Sequence, residues 1–94
     1  MLYILGKHKV KVPNWLNEYD VGLVDSHMSA TVLSLKEIRI LKAKAKEATN
    51  KVYREYLEEG IAMEEEGVLS HLSSIDKIVS LAEQGYRPKE QGNV

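Results

Sequence analysis

A chain of 94 residues, 44% of them apolar and none of them cysteine or phenylalanine, has room for one domain with a modest core. The apolar share argues against disorder, and the lack of cysteine excludes disulfides, thiolate metal sites and a cysteine nucleophile. The net charge of −1 hides a split, because residues 1–54 carry ten Lys/Arg and five Asp/Glu while residues 55–94 carry three and nine.

Leu2-Tyr3-Ile4-Leu5, Gly6-Lys7 and His8-Lys9-Val10-Lys11-Val12 predict a β-hairpin, since a two-residue turn that opens with glycine accepts a positive φ at its first position. Alternation then puts Tyr3, Leu5, His8, Val10 and Val12 on one face and Leu2, Ile4, Lys9 and Lys11 on the other. A lone hairpin is barely stable, so its apolar face needs a third strand or a helix beneath it. Pro13 ends the second strand, having no N–H to give a ladder. Asn14 suits the cap of a short turn through Trp15, Leu16 and Tyr19, residues 21–24 suit a third strand, and residues 25–31 read as a polar loop.

Ser34-Leu35-Lys36-Glu37 has the form of a capping box, with Leu33 and Ile38 placed as a hydrophobic staple, and predicts a helix from residue 35. Ile38, Leu41, Ala45, Ala48, Val52 and Tyr56 continue it as one apolar stripe to about residue 59. Ile61, Val68, Leu72, Ile75, Val79 and Ala82 make a second stripe, stopped by Gly85 and Pro88. The turn between the helices falls at Gly60 or at Gly67; Glu64, Glu65 and Glu66 favour Gly60, because carboxylates stabilise a first helical turn. The expected fold is therefore α+β, an N-terminal β-hairpin or small three-stranded sheet followed by an antiparallel two-helix hairpin. Residues 1–87 form the domain and residues 88–94 a flexible tail.

Lys36, Arg39, Lys42, Lys44, Lys46, Lys51 and Arg54 spread over the side of the first helix away from its stripe. They suit either a solvated face or a surface that follows phosphates, but no aromatic residue or glycine-rich loop stands among the lysines to stack bases. Glu55, Glu58, Glu59, Glu64, Glu65 and Glu66 suit a solubilising tip or a dock for a basic partner, and their spacing matches no cation-binding loop. His8, His27 and His71 have no metal-ligand spacing. Phosphate-loop, dinucleotide-binding, nucleophile-elbow and zinc-protease motifs are missing, so no catalytic residue, metal or cofactor is assigned.

No apolar run reaches the roughly 18 residues of a spanning helix, and Leu2 to Leu5 is too short for a signal peptide. The expected location is the cytoplasm, with no membrane contact. Ile40 points almost opposite the first stripe, while Leu35, Tyr53 and Leu57 line its flank. Apolar groups ringed by Lys and Arg suit protein binding, so the expected function is a non-enzymatic regulator, adaptor or inhibitor that occupies a surface of another protein. Arg39, Ile40, Lys42, Lys46 and Tyr53 are the candidate contact residues. The alternatives are nucleic-acid binding through the basic face and a structural homodimer. Size alone also suits a phage or mobile-element protein.

Overall fold

In the computed structural model, which describes residues 1–85, the chain opens with a two-stranded antiparallel hairpin, β1 (Leu2–Leu5) and β2 (His8–Lys11). Leu2 faces Lys11, Tyr3 faces Val10, Ile4 faces Lys9 and Leu5 faces His8, which is the predicted register. Gly6 takes the positive φ that the turn requires, +62°, and Lys7 does not. Tyr3, Leu5, His8, Val10 and Val12 turn inward, and Leu2, Ile4, Lys9 and Lys11 are exposed.

Two long helices follow, α1 (Glu18–Glu47) and α2 (Lys51–Glu83). No third strand is present among the described residues: residues 21–24 and the expected loop at 25–31 are both helical, and α1 begins at residue 18 rather than 35. Its cap is Asn17, whose Oδ1 accepts the Asp20 N–H at 2.7 Å, with Glu18 and Asp20 adding acidic groups to the first turn. The Ser34–Glu37 box lies inside the helix, where the backbone N–H groups it would cap already have helical partners.

The reason is a seam. Asp20, Val24, His27, Thr31, Ser34, Ile38, Leu41, Ala45 and the cap residue Ala48 recur at alternating spacings of four and three, and all are buried or half-buried. That is the 3.5-residue period of a coiled-coil contact. On α2 the matching positions are Leu57, Ile61, Glu64, Val68, His71, Ile75, Ile78 and Ala82, also all buried or half-buried. Three of the polar members are paired within or across the helices. The Thr31 hydroxyl, fully buried, donates to the His27 carbonyl at 2.8 Å, and the Nδ1 atoms of His27 and His71 meet at 2.8 Å across the helices.

Neither Gly60 nor Gly67 is the turn; both lie within α2, and the chain reverses at Ala48, Thr49 and Asn50. Asn50 Oδ1 accepts the Tyr53 N–H at 2.8 Å, and Arg54 Nη2 donates to the Ala48 carbonyl at 2.6 Å. A local cap outweighs the few tenths of a kcal/mol by which carboxylates prefer a helix start. As a result Val52 and Tyr56, expected on the first buried stripe, belong to α2 and are 74% and 70% exposed. The second stripe is buried or half-buried throughout, and Gly85 (φ +80°) closes α2 by donating to the Ala82 carbonyl at 3.0 Å. The expected boundary at residue 87 and tail at 88–94 lie outside the described residues.

The hairpin lies along the half of the helix pair nearest residue 18, its turn reaching Leu35. There Val10, Val12 and Leu16 join Val24, Ile75 and Ala82 in one buried cluster, with Tyr3, Leu5, Met28, Leu72, Ile78 and Val79 packed around it. The molecule measures 56 × 27 × 16 Å, long because a helix of 33 residues at about 1.5 Å per residue extends well beyond a four-residue strand.

Candidate protein-interaction surface

The hairpin reaches along α1 as far as its own turn. A Cβ at Gly6 would stand 3.4 Å from the Leu35 side chain. Just past it, Lys7, His8, Leu35, Ile38, Lys42, Glu65, Val68 and Leu69 line an open groove of about 420 Å³. Beyond that groove the two helices continue alone as an arm, with the turn at Asn50 at its tip.

Helical geometry and the chain turn distribute the expected contact residues over this arm. Arg39, Lys42 and Lys46, at i, i+3 and i+7, share one flank of α1. Lys42 approaches Glu65 of α2 at 3.8 Å; both side chains are more than half exposed, so the pair contributes at most about 1 kcal/mol. Ile40 stands on the outer side of α1, 49% exposed. Tyr53 lies on α2, past the turn, and is 47% exposed. The five residues thus belong to one arm but not to one contiguous patch.

The exposed apolar groups that the sequence reading did not assign to this surface are Val52, Tyr56, Met63 and Leu69. Val52, Tyr56 and Met63, spaced by four and seven, form an outer stripe on α2. The signal was present as that spacing, but it became legible only once the chain reversal moved from Gly60 to Asn50. Around the stripe basic groups predominate on α1 (Lys36, Arg39, Lys42, Lys44 and Lys46, against Glu37 and Glu47), and on α2 Lys51 and Arg54 are followed by Glu55, Glu58, Glu59, Glu64, Glu65 and Glu66.

Two of the three histidines come together. His27 and His71 have ring centroids 5.1 Å apart, tilted by 50°, while His8 lines the groove beside Lys42. One Nδ1 must carry a hydrogen and the other a lone pair for the 2.8 Å contact to be a hydrogen bond. Among the described residues no three histidine or carboxylate groups gather where they could share a metal ion. Nor is any helix among them long and apolar enough to cross a membrane. No family model, curated protein or solved structure matches this chain.

Proposed function

We propose that this protein is a non-enzymatic interaction module, a regulator, adaptor or inhibitor that docks its helical arm on another protein. The observation that carries the reading is the exposure of Ile40, Val52, Tyr53, Tyr56 and Met63 on the arm, from 47% to 74%. Large apolar groups at that exposure do little for the fold, while at an interface aromatic and aliphatic anchors supply most of the binding energy. The flanking Lys/Arg and Glu clusters provide a charged rim that orients a partner. A phosphate backbone laid on α1 would meet the carboxylates of α2 alongside it, which makes nucleic acid the weaker reading. A second copy of the chain is the other competing occupant.

Affinity capture from lysate of the source cell, with and without nuclease, tests this. The expected result is a protein retained after nuclease treatment, with Ile40→Asp or Tyr56→Ala lowering recovery at least about tenfold. A catch lost on nuclease treatment overturns it in favour of nucleic acid. Sedimentation of the purified chain as a stable dimer that captures nothing else overturns it in favour of self-assembly.

A further inference from the structure

The two edges of the β-hairpin are not equivalent. Met1 and Val12 exchange backbone hydrogen bonds, the Val12 N–H to the Met1 carbonyl at 2.7 Å and the Met1 amino group to the Val12 carbonyl. Hydrogen-bonded pairs alternate along an antiparallel ladder, so Tyr3–Val10 and Leu5–His8 are bonded and Leu2–Lys11 and Ile4–Lys9 are not. The N–H and C=O groups of Leu2 and Ile4 therefore point away from β2. On the opposite edge, the outward positions are Lys9 and Lys11, the charged residues with which proteins commonly block strand addition. No charge stands on β1, and its outer side chains, Leu2 and Ile4, are 54% and 67% exposed.

Beside β1 runs an open groove of about 630 Å³, walled by Tyr3 and Leu5 of the strand and floored by Asp25, Met28, Ser29, Val32 and Leu33 of α1. The helix thus lies beneath the place where a further strand would sit. We propose that β1 accepts an extended segment of another protein as a third strand, its backbone pairing with Leu2 and Ile4 and its alternate apolar side chains entering the groove. The groove is lined mostly by apolar side chains, with Asp25 its one charged residue, so the inward side chains of the segment are apolar and not acidic. The occupant is not a second β1. A copy pairing there would bring its own α1 under the extended sheet, into the space α1 already fills. This surface is separate from the helical arm, so its test does not depend on the arm's role.

The test is a titration of the ¹⁵N-labelled full chain, read by amide NMR, with a capped hexapeptide alternating valine and threonine. Binding should shift the Leu2 and Ile4 amides together with the Val32 and Leu33 signals. Ile4→Pro removes only an outward N–H, and Ile4→Lys gives β1 the guard that β2 already has; each should weaken binding at least tenfold. Lys9→Pro, the same change on the opposite edge, should leave it within twofold. The proposal is overturned by shifts confined to β2, by no shift at β1, or by binding in both Ile4 variants as tight as in the unaltered chain. Protection of Leu2 and Ile4 that grows with the protein's own concentration also overturns it, by making a second copy the occupant.

Discussion

At His27 and His71 the seam places two polar rings where a coiled coil usually places aliphatic groups. Their single contact satisfies both Nδ1 atoms, so the pair behaves as a unit. Removing one ring leaves the other half-buried without its partner, at a cost of about 1–3 kcal/mol, whereas replacing both by apolar groups of similar size is close to neutral. Urea denaturation of His71→Ala should therefore show a loss of about 1–3 kcal/mol, and the double variant His27→Leu/His71→Leu should recover most of it. Equal and additive losses would mean the contact contributes nothing as a pair. Glycines give a second contrast. A Cβ at Gly67 meets nothing within 4 Å in a helical backbone, so Gly67→Ala should stabilise the chain by about 0.5–1 kcal/mol. Gly6, at φ +62° and against Leu35, should lose about 1–2 kcal/mol when changed to alanine. Thermal unfolding of the two variants side by side reads both signs.

Among the elements, the helix ends were the hardest part to read and are the easiest to test. Asn50→Ala should cost about 1 kcal/mol, because Asn50 holds the Tyr53 N–H, while Ser34→Ala should show no loss of a cap. A result in the opposite order would return the helix start to Ser34. The β-hairpin was legible in full because its period of two and its glycine turn are local signals that tertiary contacts reinforce. The second stripe, Ile61 to Ala82, was legible because its apolar side chains recur at helical spacings of three, four and seven. The first half of α1 was not. Its seam passes through Asp20, His27, Thr31 and Ser34, so a search for apolar periodicity sees a loop where the helix has its buried side. The expected site rests on a different misreading: a turn at Gly60 or Gly67 puts Tyr53 and Ile40 on one helix, and the reversal at Asn50 assigns them to two.

Over the whole molecule, stability and exposure run in opposite directions along the long axis. At the base, the hairpin adds a layer to the helix pair, and Ile75 is fully buried beside Val24, Val10 and Val12. Along the arm the seam is one side chain deep and narrows to Ala45 and Ala48 on α1, with Leu57 the buried residue facing that end from α2. Buried apolar area sets most of the free energy that resists opening, so the arm opens locally while the base opens only with global unfolding. Native-state hydrogen exchange should show amides 43–63 exchanging through sub-global openings, and those around Ile75 exchanging only at the global free energy. Ile75→Ala should cost about 2–5 kcal/mol and lower protection throughout. Tyr56→Ala should leave all of these unchanged, because its ring is 70% exposed. Uniform protection from base to tip would require the arm to be covered by another surface in solution, and Tyr56→Ala would then become destabilising. Measuring that one variant with and without a bound partner therefore separates an arm held ready for docking from an arm already occupied.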